Sequence, residues 1–265
     1  MASFDFGVKV DPQVFDRQIN DGYQVKVTDY IRQGWKMYKE HIGGFVGFSL
    51  IVCFVYISNY FLSTFLSIRF GPIVSLLYSV VITGLFAALS AGYGIVVFRL
   101  LSGQQFEFAD FFKGFNYFLP LFLAGLAAGF LVFIGSVLLI IPGIYLAVSY
   151  MFVTFLIIDY RMEFWQAMET SRKIITKNWF DIYGFSLTLI SLYIPLFLFL
   201  YLGSFVVIIT SRFPSGFDQS GWFVQCLFGL FGLGALALLL VTISVTSCAA
   251  AIAYKEIAGL YSNDW

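Results

Sequence analysis

The 265-residue chain is 60% hydrophobic and only 11% charged, and its mean hydropathy is +0.89. A soluble domain carries about 25% charged residues because its surface must face water. A chain this poor in charge cannot cover a water-exposed surface, so its solvent is expected to be largely lipid. Its formal net charge is zero, so nothing indicates a nucleic-acid partner.

The first 24 residues are polar and acidic, and they lack a basic segment followed by an apolar stretch. A cleavable signal peptide needs both features. We therefore expect residues 1–24 to be a cytoplasmic N-terminal segment. A single six-helix membrane domain is predicted for residues 25–260, and residues 261–265 form a C-terminal tail.

Six transmembrane helices are predicted from the stretches that lack Asp, Glu, Lys and Arg. A helix needs about 20 apolar residues to cross the hydrocarbon core. The stretch 114–158 is long enough for two such helices, and it contains Pro142, which interrupts helical hydrogen bonding and can open the next helix. The predicted spans cover residues 43–67, 72–98, 119–140, 143–159, 182–209 and 222–254.

The distribution of Lys and Arg predicts the orientation. With six spans, both termini and the connections around 99–118 and 160–181 lie on the same side of the membrane. That side holds all of the 15 basic residues except Arg69 and Arg212. Because cytoplasmic loops carry an excess of Lys and Arg, we expect both termini to be cytoplasmic.

An amphipathic segment precedes each predicted hairpin of two spans. We expect these three helices to lie on the cytoplasmic side, in the plane of the membrane interface, with the charged face towards the head groups. The alternative is that they are cytoplasmic extensions of the spans, packed on one another. Their apolar faces are Val27, Ile31, Trp35, Tyr38 and Ile42 in the first, Phe108, Phe111, Phe112, Phe115 and Phe118 in the second, and Phe164, Met168, Ser171, Ile175 and Trp179 in the third.

The unit of one surface helix and two spans occurs three times. The tetrapeptide Gly-Phe-Ser-Leu recurs at 47–50 and 184–187, and Lys36 and Lys173 keep the same offset. Chance matching between helices rich in Phe and Leu is the alternative to duplication. The possible repeats cover residues 25–103, 104–160 and 161–260.

The most distinctive segment begins at Ile141-Pro142-Gly143-Ile144-Tyr145 and runs through Ile158-Asp159 into the third surface helix, with Asn178-Trp179 beyond it. It resembles a bacterial six-span integral membrane family that includes the membrane domain of some glycerophosphoryl diester phosphodiesterases. The closing segment 253–259 fits the same pattern. The resemblance implies the six-span fold and a bacterial inner membrane. It implies no activity, because the family is largely uncharacterised and the phosphodiesterase reaction belongs to a separate soluble domain.

The sequence shows no motif for catalysis or for a cofactor. It contains neither Gly-x-Ser-x-Gly nor His-Glu-x-x-His, and its one histidine, His41, has no second ligand near it in sequence. The cysteines Cys53, Cys226 and Cys248 lie alone in apolar runs, as small hydrophobic residues do. Every charged residue can be placed at or outside the interface, whereas a charge in mid-membrane would mark a functional site. We therefore predict a non-enzymatic protein without a cofactor or metal.

A charged cluster marks the place where the third surface helix meets the spans. An ion-pair network that fixes this helix is expected, and a docking surface for head groups or a protein partner is the alternative. The cluster comprises Asp159, Arg161, Glu163, Glu169, Arg172 and Lys173.

The candidate functional residues form two sets. The predicted lipid or partner interface is made of the basic residues Lys36, Lys39, Arg172, Lys173 and Lys177. Close helix packing is predicted at the small residues Gly84, Gly92, Gly125 and Gly129.

The leading functional hypothesis is an accessory or scaffold component of the membrane. Its partners would be membrane lipids, a larger membrane protein complex or a second copy of the chain. The alternative is a transporter or channel-like protein for a lipid or small solute, using polar residues such as Ser186 and Thr242 in the last two spans.

Overall fold

The computed structural model describes residues 23–212 and 222–258 of the chain. These ranges contain α-helices and one 3-10 helix and no β-strand, so the all-α fold class is confirmed for them. The helices in chain order are α1 Val27–Glu40, α2 Ile42–Phe70, α3 Pro72–Leu101, the 3-10 helix Phe108–Tyr117, α4 Phe118–Leu138, α5 Ile140–Ser149, α6 Val153–Tyr160, α7 Phe164–Lys177, α8 Trp179–Ser191, α9 Ile194–Arg212 and α10 Trp222–Ile257.

Six helical segments are long and apolar enough to cross a membrane, as the sequence predicts. A helix satisfies its backbone hydrogen bonds internally, which an element surrounded by lipid must do. The fourth segment combines α5 and α6, and the fifth combines α8 with part of α9. The six segments are Ile42–Phe70, Pro72–Leu101, Phe108–Leu138, Ile140–Tyr160, Trp179–Val206 and Gln225–Ile257.

Two short turns join the first of these segments to the second and the third to the fourth. Gly71 joins α2 to α3 with a φ of +88°, which glycine adopts readily, and Pro72 follows at a position where its missing N–H costs no hydrogen bond. Leu139 alone joins α4 to α5, in an extended conformation. α5 therefore begins at Ile140, three residues earlier than predicted, and Pro142 lies in its first turn.

Two segments are interrupted. A turn at 150–152 separates α5 from α6, and a turn at 192–193 separates α8 from α9. The second interruption has a direct cause, because Pro195 has no N–H to donate to the carbonyl of Ser191.

The buried core lies at one end of the bundle, where α3, α6 and α10 end close to Arg99, Arg161 and Lys255. We call this the basic end. The opposite end, marked by the turns at Gly71 and Leu139, is called the far end, and its side chains are mostly exposed. The large side chains that are fully buried near the basic end include Tyr30, Phe45, Phe48, Phe111, Phe152, Phe185 and Tyr254.

The helix α1 packs along α10. Its buried residues are Tyr30, Gly34 and Tyr38, and a Cβ on Gly34 would lie only 3.0 Å from the backbone nitrogen of Ala249. Trp35, which the sequence placed on the apolar face, is exposed instead. The buried face is therefore rotated from the predicted one, because the close approach to α10 requires glycine at its centre.

The second predicted surface helix is a 3-10 helix that lies along α3. A Cβ on Gly114 would overlap the backbone carbonyl of Ala88, so the two backbones almost touch. Of the five phenylalanines assigned to its apolar face, only Phe111 is buried. The assignment assumed α-helical spacing, which does not hold at three residues per turn.

The third predicted surface helix corresponds to α7. Its buried side chains include Met168, Ser171 and Ile175, which the sequence had placed on its apolar face. The Ser171 hydroxyl donates to the carbonyl of Ser149 at 2.7 Å. This bond ties α7 to the end of α5.

Candidate anion-binding cavity at the basic end

A cavity of about 310 Å³ lies at the basic end of the bundle, between the end of α3, the 3-10 helix and the end of α6. Its wall comes from three elements, so no single stretch of sequence indicates it. Its lining combines cationic, uncharged polar and apolar side chains. The lining residues are Ile95, Phe98, Arg99, Ser102, Gln104, Lys113, Asn116, Tyr117, Ile158 and Arg161.

A buried carboxylate positions two of the cations in the wall. Asp110 is only 2% exposed, and it accepts from Arg99 at 2.6 Å on Oδ2 and from Lys113 at 2.6 Å on Oδ1. The backbone N–H of Glu107 also donates to Oδ2, at 2.9 Å. A buried charge is tolerated when it is paired and hydrogen-bonded, so this carboxylate fixes both cations at the cavity. The α-helical spacing assumed for this segment places Asp110 away from the phenylalanine face, so its burial was not predicted.

A second buried carboxylate, next to the cavity, joins α6 to α10. Asp159 accepts two bonds from Lys255 Nζ, at 2.8 and 3.0 Å, and one from the Tyr254 hydroxyl at 3.0 Å. Lys255 Nζ also lies 4.7 Å from the ring centre of Phe98, a residue of the cavity wall. The pair fixes the end of α6, and Arg161, two residues after Asp159, lines the cavity.

The charged cluster predicted around α7 is divided in the structure. Glu169 receives a bidentate pair of bonds from Arg172, at 2.9 and 2.7 Å, and Lys173 lies 3.8 Å away. The hydrogen bonds from Arg172 lower the pKa of the Glu169 carboxyl below its ordinary value. Asp159 belongs to the separate pair with Lys255, and Arg161 lines the cavity. The predicted cluster therefore contains ion pairs in two separate places, on α7 and between α6 and α10.

The five predicted interface cations lie on two helices. On α1, Lys36 pairs with Glu40 at 3.8 Å, and Lys39 lies 5.3 Å from the ring centre of Trp35. On α7, Arg172 and Lys173 share Glu169, and Lys177 is exposed at the end of the helix. Lys36, Lys39, Lys173 and Lys177 are all exposed on these two helices.

The four predicted packing glycines differ in their surroundings. A Cβ on Gly92 would overlap the backbone carbonyl of Phe111, and a Cβ on Gly84 would lie 2.8 Å from the ring of Phe122. A Cβ on Gly125 would make an ordinary contact of 3.4 Å with Thr83. A Cβ on Gly129 would meet nothing within 4 Å, so the close approach expected there is absent from the described residues. Equal spacing along a helix does not ensure that a neighbour is present.

Most hydroxyl groups in the spans bond within their own helix. Ser186 donates to the carbonyl of Tyr183 at 2.8 Å, and Thr242 donates to that of Leu238 at 2.7 Å. A different arrangement joins α2, α3 and α10, where Ser49 Oγ lies 2.7 Å from the Tyr93 hydroxyl and 2.9 Å from Ser244 Oγ. All three groups are buried, so this bond chain is an internal tie between helices.

The direction of each hydrogen bond among these three hydroxyl groups follows from the single proton that each one carries. Ser244 donates its only proton to the carbonyl of Leu240, at 2.9 Å. Ser49 must then donate to Ser244, and Tyr93 to Ser49. Every hydroxyl is satisfied in this order.

Comparison of the chain with family models, with curated proteins and with solved structures found no match.

Proposed function

We propose that this chain is a non-enzymatic integral membrane protein, an accessory or scaffold component that interacts with membrane lipids or a membrane complex. The placement of charge carries this proposal. Within the described spans, each charged residue lies within two turns of a span end. These residues are Arg69, Arg99, Asp110, Lys113, Asp159, Asp181, Lys255 and Glu256.

The topology in the proposal is three hairpins of spans with both termini in the cytoplasm of a bacterial cell. The bias of Lys and Arg towards one side supports this orientation, and the resemblance to the bacterial six-span family is consistent with it. The basic end then faces the cytoplasm, where anionic lipids attract cations. The exposed residues Trp35 and Trp165, on α1 and α7, have the amphipathic rings that are enriched at membrane interfaces.

The transporter alternative has less support. In that alternative, the transported solute would pass along Ser186 and Thr242. The hydroxyls of both residues are already bonded to carbonyl groups of their own helices. Such bonds are the usual role of serine and threonine in membrane helices.

Affinity purification of the full chain in mild detergent, followed by mass spectrometry, tests the proposal. We expect anionic lipid or a defined set of membrane proteins to be retained. Replacing Lys36, Lys39, Arg172, Lys173 and Lys177 together by Gln should reduce that retention. The matched control is Arg69→Gln, which removes a charge at the far end and should change nothing.

A transport assay after reconstitution could contradict the accessory proposal. Proteoliposomes would be assayed for release of entrapped carboxyfluorescein and for movement of a fluorescent phospholipid between leaflets. Transport that is lost on Thr242→Val and kept on Ser191→Ala would overturn the accessory proposal in favour of a transporter.

A further inference from the structure

We propose that the cavity between α3, the 3-10 helix and α6 is a binding site for the phosphate of an anionic phospholipid head group. The inference rests on the proposed function for its membrane setting only. Its own basis is the charge, the composition and the position of the cavity wall.

The wall has an excess of positive charge. Arg99, Lys113 and Arg161 line the cavity, and none of the described residues that line it carries a carboxylate. Asp110 lies behind the wall and is shared by two of the cations, so it offsets only one positive charge of the two. Within residues 23–212 and 222–258, Arg161 makes no ion pair. An anion that enters the cavity therefore meets uncompensated charge.

The backbone at Arg161 supports a role for its side chain. Arg161 ends α6 in the left-handed conformation, with a φ of +50° and a ψ of +36°. Glycine is the usual residue at this place, because an L side chain there is strained. Arginine nevertheless occupies the position, and its side chain lines the cavity. Strain of this kind clusters at functional sites.

The chemistry of the wall indicates phosphate. An arginine guanidinium forms paired hydrogen bonds to phosphate oxygens, and lysine adds a compact charge. Ser102, Asn116 and Tyr117 supply further polar groups in the wall. The volume of about 310 Å³ lies in the range of sites for small ligands and fits a head group.

The remaining part of the wall favours a lipid over a soluble phosphate compound. Ile95, Phe98 and Ile158 give the cavity an apolar side. The cavity lies at the ends of two spans, where hydrocarbon gives way to the polar interface. Basic pockets between transmembrane helices at this level bind acidic lipid head groups.

Native mass spectrometry of the full chain in detergent tests the site. Delipidated protein would be titrated with phosphatidylglycerol, with phosphatidylcholine as the zwitterionic comparison. We expect phosphatidylglycerol to bind more tightly. Arg161→Gly should weaken its binding by about tenfold, because charge-assisted hydrogen bonds are lost. The same variant relieves the left-handed strain, so its melting temperature should equal or exceed that of the wild type.

Two controls make the result specific. Arg69→Gln should leave phosphatidylglycerol binding unchanged, which separates the cavity from charge in general. Inorganic phosphate, added at the same concentrations as the lipid, should not displace it. Equal binding by Arg161→Gly and wild type would overturn the proposal, and so would displacement by inorganic phosphate at the affinity of the lipid, which would indicate a soluble ligand.

Failure of this inference is distinguishable from failure of the proposed function. If Arg161→Gly binds lipid normally while the protein still retains a membrane complex, only the cavity assignment is wrong. If transport is observed while Arg161→Gly still loses phosphatidylglycerol, the site stands and the accessory function is wrong.

Discussion

The two ends of the bundle are built differently although both are made of apolar helices. At the basic end, aromatic rings pack against one another, as in the stacked pair of Phe48 and Phe111 with ring centres 4.5 Å apart. At the far end, large apolar side chains such as Ile68 and Phe133 point outward and are 82% and 67% exposed. Hydropathy is therefore a poor guide to which helical segments hold the fold together.

The reason lies in the solvent. Lipid tails are as apolar as leucine, so burying an apolar side chain between membrane helices yields no hydrophobic gain. Close packing and interhelical hydrogen bonds remain as the forces of association. Both are concentrated at the basic end, in the contact of Gly92 with the 3-10 helix and in the chain from Tyr93 through Ser49 to Ser244. Stability should accordingly be localised there.

The largest expected difference in stability between the two ends is that between Phe111→Ala and Phe133→Ala. Phe111 is fully buried among Phe45, Phe48 and Tyr93, so its truncation leaves a cavity. We expect a loss of about 3 kcal/mol, the low end for such a truncation, because packing contacts are lost without a hydrophobic transfer term; SDS titration in mixed micelles would measure it. Phe133→Ala should have little effect. Equal losses would show that the two ends contribute alike.

A smaller effect is expected from Gly92→Ala, with Gly129→Ala as the matched control. The added methyl group at Gly92 would overlap the backbone of Phe111, and relieving such overpacking costs about 1–3 kcal/mol. The melting temperature in detergent should fall for Gly92→Ala and should be kept or raised for Gly129→Ala, since alanine favours helix. A normal melting temperature for Gly92→Ala would contradict the tight contact between α3 and the 3-10 helix.

The smallest effect is expected from Ser244→Ala. It removes the acceptor of Ser49 in the buried chain of hydroxyls, and interhelical bonds of this kind contribute about 0.6 kcal/mol on average in membranes. Ser191→Ala removes a bond within one exposed helix turn and should change the free energy of unfolding less. A larger loss of unfolding free energy for Ser191→Ala than for Ser244→Ala would contradict the localisation of stability at the basic end.

The sequence predicted the features that depend on neighbouring residues. The six apolar helices followed from hydropathy, and the division of the stretch 114–158 into two spans followed from Pro142. The contact of Asp159 with Lys255 was not predicted, because their pairing depends on how α6 and α10 meet across 96 positions of sequence. The cavity was missed for the same reason, since its walls come from three elements. The burial of Asp110 was missed because α-helical spacing was assumed for a 3-10 helix.

The single-residue turn at Leu139 limits how deep the second pair of spans can reach. Asp159 and Phe98 lie at one level, since both contact Lys255. From that level α3 extends about 39 Å to its turn, whereas α6 and α5 together extend at most about 29 Å to theirs, at a rise of 1.5 Å per residue. No polar side chain lies between Ser136 and Tyr145.

In a bilayer, this tip would end among the acyl chains of the distal leaflet and would lack a hydrated loop. The leaflet above it would have to thin or dip to meet it. The protein would therefore deform the membrane on the side opposite to its cationic surface.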